Sequence, residues 1–176
     1  MNYHYYQKEG GNEKWSPIPD NKLDTITDAM FVTILSVDSP VSDDADKESL
    51  AAIKFRGPLY FDLDDADSPA STAVNAVQLV KKLEELGIFP AMLEIYATGG
   101  KGFHMLVSEE CFLTKPPKAG LPLLPAIYKE MAFNLAVDSL DLVVYTARKG
   151  RMFRQANVLR PNGMHKVRIA YTELVQ

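Results

Sequence analysis

Leu59-Tyr60-Phe61-Asp62-Leu63-Asp64-Asp65 is an apolar run that ends in carboxylates two residues apart. Side chains alternate between the two faces of a β-strand, so residues i and i+2 point the same way. Read as a strand, the run sends Leu59, Phe61 and Leu63 into a core. Asp62 and Asp64 then project together from the opposite face. Two carboxylates held side by side repel each other unless a cation sits between them. Their oxygens suit Mg²⁺ or Mn²⁺. The first expectation is therefore a metal site at the end of a strand. The plainer alternative is an acidic turn leading into a helix cap, with Asp65 and Asp67 supplying the cap. An EF-hand loop starting at Asp62 fails, because Asp67 stands where Gly is needed and Ala73 where Glu is needed.

Upstream of this run, Pro58 sits near the strand's start, where its missing N–H costs least. Residues 38–50 are expected as an exposed acidic loop, and Met30 to Val37 as a strand. Residues 1–27 are polar and tyrosine-rich and are expected as a loosely structured arm or capping segment. Downstream, Asp67 or Ser68 can cap a helix with Pro69 in its first turn. Ala73, Val77, Val80, Leu83 and Leu86 form its apolar stripe, and Gly87 ends it. Ala91 to Ala97 and Phe103 to Val107 read as strands joined by Thr98-Gly99-Gly100-Lys101-Gly102, a β-hairpin with a glycine-rich turn. Residues 113–125 contain four prolines and form an irregular connection. A second helix is expected from Ala126 to Leu135, with Ile127, Met131 and Leu135 on one side. Leu140 to Tyr145 reads as a short strand with Asp141 at its beginning, and Val167 to Tyr171 as a last one. The chain ends soon after, as a catalytic core cut from a longer protein would.

The 176 residues fit a single domain, and 47% apolar with 24% charged residues is ordinary for a globular protein. No apolar run reaches membrane-spanning length, and the N-terminus lacks a signal-peptide core. A cytoplasmic protein without membrane partners is expected. The single cysteine, Cys111, excludes an intrachain disulfide and a multi-cysteine zinc site.

The net charge of −4 hides an asymmetry: acids crowd residues 38–67, whereas Leu142 to Thr172 contains none. That acid-free segment carries Arg148, Lys149, Arg151, Arg154, Arg160, Lys166 and Arg168. A local basic block in an acidic chain suggests a phosphate or polyanion site. Arg forks bind phosphate oxygens in pairs and Lys adds a point charge. A solvated basic surface is the bland alternative.

The glycine-rich turn has chemistry of its own. Its glycines can bring backbone N–H groups close to an anion, Lys101 adds charge, and His104 follows as a donor. It is not a Walker loop, because the Gly-Lys-Ser/Thr ending and the following helix are absent. Asp141, with Asp138 as a competitor, could sit at a strand edge as Asp62 does.

Taken in order, these motifs resemble those of the archaeo-eukaryotic primase superfamily, which includes plasmid- and phage-type primase-polymerases. An apolar strand ends in Phe61-Asp62-Leu63-Asp64. The loop Thr98-Gly99-Gly100-Lys101-Gly102-Phe103-His104 follows, then Leu140-Asp141, then Arg160-Pro161-Asn162-Gly163-Met164-His165-Lys166. Thr98 stands where the family usually has Ser and keeps the hydroxyl.

The resemblance implies an α/β (α+β) fold, an RRM-like sheet joined to an N-terminal αβ unit in a two-lobed catalytic core. It implies template-directed nucleotidyl transfer that makes or extends primers on single-stranded DNA, from nucleoside triphosphates. Two Mg²⁺ or Mn²⁺ ions would be held by Asp62, Asp64 and Asp141, with His104 also catalytic, and no zinc. Thr98, Gly99, Gly100, Lys101, Gly102 and His104 would hold the triphosphate, while Arg154, Arg160 and Lys166 neutralise phosphates. A helicase or accessory domain would lie outside this chain.

Two other readings compete. A haloacid dehalogenase-type phosphatase uses an apolar strand ending in Asp-x-Asp within a parallel sheet. A non-catalytic RRM-like module would bind single strands by stacking bases on aromatics such as Tyr60.

Overall fold

The structure is a computed structural model that describes all residues except 9–14, 27–28, 43–45, 65–67, 114, 116 and 147–149. In chain order the elements are β1 (Tyr3–Lys8), β2 (Ser16–Pro19), β3 (Ala29–Thr33), β4 (Ser36–Val37), α1 (Lys47–Ala52), β5 (Phe55–Arg56) and β6 (Leu59–Leu63). These are followed by α2 (Pro69–Glu85), β7 (Leu93–Ala97), β8 (Phe103–Val107), α3 (Leu124–Asn134), β9 (Met152–Arg154), β10 (Val167–Ile169) and α4 (Tyr171–Leu174).

The run Leu59–Leu63 is a strand, and Leu59, Phe61 and Leu63 are fully buried, as alternation requires. It pairs antiparallel with β8, and the four-stranded sheet has the order β10-β7-β8-β6. The other edge of β6 is completed by residues 139–141. There Asp64 N–H donates to the Ser139 carbonyl and Asp141 N–H to the Asp62 carbonyl, each at 2.9 Å. Strand, helix, hairpin, helix and a segment returning beside the first strand make an RRM-like sheet. Because β6 and β7 both pair with antiparallel β8, this is not the parallel sheet that the phosphatase reading needs.

A second sheet of six strands has the order β5-β4-β1-β3-β9, with β2 also on β1. The two sheets share one core, and Phe153 of β9 packs edge-on against Tyr60 of β6 at 5.8 Å between ring centroids. The fold is therefore mixed α/β with two antiparallel sheets in two lobes.

Several local expectations are corrected. Tyr3–Lys8 and Ser16–Pro19 are strands of the second sheet, with Tyr5 and Ile18 buried, and not a loose arm. The expected strand from Met30 to Val37 is broken between β3 and β4. Part of the expected acidic loop is the helix α1, capped by Asp46, whose side chain accepts from Ser49 N–H. Helix α2 is capped by Ser68, whose hydroxyl accepts from Ala70 and Ser71 N–H, while Asp65 and Asp67 lie outside the described residues. Its buried face runs through Thr72, Asn75, Ala76, Leu79, Val80 and Leu83, so Leu86 is exposed. Ala73 and Val77 of the expected stripe pack half-buried against the core beside buried Val80 and Leu83, and Asn75 on the same face is satisfied by donating from Nδ2 to Ser139 Oγ at 2.5 Å. Helix α3 buries Leu124, Tyr128 and Ala132 and leaves Ile127 exposed. Residues Val143–Thr146 form a 3₁₀ turn and not a strand, because Asp141 Oδ1 accepts from Val143 N–H at 2.8 Å and bends the chain. The last expected strand ends at Ile169 and gives way to α4.

Candidate active site

Residues directly opposite each other in a ladder share a face. The register Asp62↔His104↔Tyr96↔Arg168 makes one row across the RRM-like sheet. The bridge Leu63↔Leu140 adds Asp141 to that row, directly opposite Asp62 on its other side. Asp64, Gly102, Thr98 and Lys166 continue the same ladders one step beyond the paired residues. Thus residues scattered from 62 to 166 come together on one sheet face.

That face is covered at one end. Tyr60, on the same side of β6 as Asp62, is fully buried, stacked on Tyr145 at 4.8 Å and edge-on to Tyr128 and Phe153. The Tyr145 hydroxyl donates to the Tyr60 carbonyl. Burial pushes the Tyr145 phenol well above its ordinary range, and Tyr60, Asp62 and Asp141 push it further, as negative charge nearby must. Tyr60 is therefore not the exposed stacking platform that the binding-module reading assigned to it.

Beyond Tyr60 the face opens into a cleft of about 210 Å³ between the sheets. Its walls include Asp62, Asp64, Thr98, Gly102, His104, Arg154, Arg160 and Lys166, all expected, together with Phe31, Arg151, Met152 and Phe153. Lys101 is exposed at the hairpin tip, and Gly99, Gly100 and Asp141 stand outside the cleft lining.

His104 lies flat on Phe153, with ring centroids 3.7 Å apart, and its Nε2 is 3.3 Å from Asp62 Oδ1. Burial holds the imidazole below its ordinary range, and the hydrogen bond to Asp62 opposes this without cancelling it. A neutral ring facing a carboxylate through Nε2 carries its proton there, which leaves Nδ1 as a buried lone pair. Nδ1 has no hydrogen-bond partner among the described residues.

The basic groups are tethered. Arg160 donates to the Thr98 carbonyl at 2.6 Å. Lys166 is buried, donates to the Arg154 carbonyl at 3.0 Å, and lies 4.5 Å from the Tyr96 ring centre. Burial lowers its ammonium to about 8, with Asp62 and Glu94 working the other way. The Arg154 guanidinium stacks on Phe31 at 4.6 Å.

The glycines of the turn serve close packing. A Cβ on Gly99 (φ +70°) would sit 2.5 Å from the His165 carbonyl oxygen, and one on Gly102 would run into the Leu63 carbonyl. The hairpin is thus sealed by Thr98, whose N–H and hydroxyl both reach the Gly102 carbonyl at 3.0 Å, and by the 160–165 segment. Asn162 Nδ2 adds a bond to the Gly99 carbonyl at 3.0 Å.

The donors toward a metal are carboxylate oxygens. Among the described residues no group of three or more His, Cys, Asp or Glu side chains is placed to hold a metal ion, so Asp62, Asp64 and Asp141 are not gathered into one set. Mg²⁺ is commonly held by one or two carboxylates and completed by water and substrate phosphates. Asp62 and Asp64, the two carboxylates on the cleft wall, have the number and chemistry that such an open site uses, and Asp141 stands outside the lining.

Phe153 was not singled out from sequence, and Arg151 only as one base of the acid-free segment. Arg151-Met152-Phe153-Arg154 has no alternation of its own, and the strand period, buried Phe153 between half-buried Met152 and Arg154, shows only in the structure.

The chain shares its fold with a solved structure described as the polymerase domain of ligase D from Mycobacterium tuberculosis in complex with DNA, at TM-score 0.55 and 15% identity. The match covers 97% of this chain and 64% of that one. No protein-family model matches the chain, and no curated protein does.

Proposed function

We propose that this chain is the catalytic core of a template-directed nucleotidyltransferase of the archaeo-eukaryotic primase type, making or extending primers on single-stranded DNA. One observation carries the reading. Asp62 and Asp64, Thr98 and His104, and Arg154, Arg160 and Lys166 are far apart in sequence yet line a single cleft between the sheets. A polymerase domain bound to DNA shares the fold, which supports the same reading.

Asp62 and Asp141, with Asp64, would hold Mg²⁺ or Mn²⁺, which supplies activation of a 3′-hydroxyl and neutralisation of pyrophosphate charge. Arg154, on β9 of the second sheet, and Arg160, held to the Thr98 carbonyl, would present guanidinium nitrogens to the polyphosphate. Lys166 adds a charge whose field is strong because its surroundings are apolar rings. The Thr98 hydroxyl spends its proton on Gly102 and keeps lone pairs toward the cleft. His104 steadies one oxygen of Asp62, fixing the carboxylate for its role. A DNA single strand would bind through its backbone to the basic wall and so lose affinity with salt.

The test is synthesis on single-stranded DNA, primed and unprimed, with labelled nucleoside triphosphates and either Mg²⁺ or Mn²⁺. Short labelled products are expected, abolished in Asp62→Ala and Asp64→Ala variants that retain the native fold. Near-normal synthesis by either variant refutes the metal assignment. Absence of product on both templates counts against the activity itself.

A further inference from the structure

Asp62 is engaged at both of its oxygens. Oδ1 faces His104 Nε2 at 3.3 Å, and Oδ2 lies 3.6 Å from a guanidinium nitrogen of Arg151. The two partners differ in their freedom. His104 is buried and clamped on Phe153. The Arg151 side chain is 44% exposed, against 13% for Asp62. Its backbone is fixed, since its carbonyl accepts from Ile34 N–H at 2.9 Å at the start of β9. The guanidinium can therefore swing from a rigid root while remaining on the cleft wall beside Arg154 and Arg160.

We propose that Arg151 is an exchangeable counter-ion: it neutralises Asp62 until a divalent cation takes Oδ2, and then turns its guanidinium to the polyphosphate of the nucleotide in the same cleft. This rests on the nucleotidyltransferase reading and adds to it a residue that couples the two ligands. Asp62 has Asp141 directly opposite and Asp64 two residues on, and the cations that offset this local negative charge, Arg151 and Lys166 among them, are all monovalent. A doubly charged ion offsets it better, and would repel a guanidinium a few ångströms away. A single 3.6 Å contact also leaves most of the planar fork unused, whereas phosphate oxygens match that fork in pairs. Metal and nucleotide then favour each other's binding by the same factor, as linkage demands.

The experiment is a Mn²⁺ titration followed by electron paramagnetic resonance on the wild type, Arg151→Gln, Arg151→Lys and Asp62→Asn. It is done without nucleotide and with a nucleoside triphosphate carrying a methylene α,β-bridge. Thermal denaturation confirms that each variant is folded. Without nucleotide, Arg151→Gln is expected to bind Mn²⁺ about three- to fivefold more tightly, the scale of losing one partly exposed ion pair. At saturating Mn²⁺ it is expected to bind the analogue about tenfold more weakly, having lost a charged fork. Arg151→Lys keeps the charge without the fork, so its Mn²⁺ affinity stays near wild type while analogue binding weakens. An Arg151→Gln affinity for Mn²⁺ equal to or below wild type overturns the exchange, provided binding still depends on Asp62. Equal Mn²⁺ binding by the wild type and Asp62→Asn overturns the metal reading itself, and the exchange with it.

Discussion

Replacing Phe153 by leucine measures how firmly the two sheets are joined across the site. Phe153 belongs to β9 in one sheet, and its ring meets Tyr60 edge-on at 5.8 Å and His104 face-on at 3.7 Å in the other. Its ring centre also lies 5.3 Å from the Lys166 ammonium. Leucine preserves most of the apolar burial but none of the ring geometry. Two ring pairs at about 0.5–1.5 kcal/mol each amount to about 2 kcal/mol. For a domain of this size that lowers Tm by about 4–8 °C and the urea midpoint by about 1 M. Urea denaturation followed by tryptophan fluorescence and far-UV circular dichroism gives the number. Phe133→Leu, at a position 62% exposed, is the control and should change stability by less than about 0.5 kcal/mol. A Phe153→Leu loss no larger than that control would refute the joint. A cycle with Tyr60→Leu should then return a coupling of about 0.5–1.5 kcal/mol, and zero coupling would refute the pairwise contact.

Gly102→Ala should cost about 1–3 kcal/mol, because its methyl would meet the Leu63 carbonyl on a paired strand, and chemical denaturation reads it directly. Asn75→Ala removes the buried donor to Ser139 and should cost about 1–3 kcal/mol. The same change should reduce metal-dependent synthesis, since Ser139 anchors the segment that sets Asp141 beside Asp62. Lys166 links stability and binding to pH with opposite signs. Its folded value of about 8 lies below that of an unfolded lysine, so its contribution to stability grows as pH rises from about 8. It is lost as pH falls through that value. Nucleotide affinity should fall over the same rise, as the cleft loses a positive charge. Lys166→Met should flatten both profiles, measured by denaturation and nucleotide titration from neutral pH to about pH 10.

Elements whose signals are local were legible. The strand at Leu59–Leu63, the helix starting at Pro69 and the β7–β8 hairpin each carry their periodicity, cap or turn within a few residues. Tyr3–Lys8 was missed because its order comes from partners far along the chain. Its register runs to Val32 and Val37, and Tyr5 N–H donates to Thr33 Oγ at 3.0 Å. The Leu140–Tyr145 run looked like a strand because three apolar residues follow Asp141. The carboxylate of Asp141 turned it into a 3₁₀ bend instead. In α2 and α3, amphipathicity announced a helix and most of its inner face, but not that Asn75 and Tyr128 are buried there with bonds to Ser139 and the Gly57 carbonyl.

For the site, sequence alone determined the pairing of Asp62 with Asp64, the glycine turn ahead of His104 and the acid-free basic segment. Strand alternation and charge balance depend only on neighbours in the chain. Only the tertiary structure decided that Tyr60 is sealed under Tyr145 and Phe153, that Lys166 is buried against Tyr96, and that Arg151 reaches Asp62. It also put the glycines of the turn to packing against Leu63 and His165. Those outcomes follow from which distant strand closes over which face, and no local pattern of residues encodes that choice.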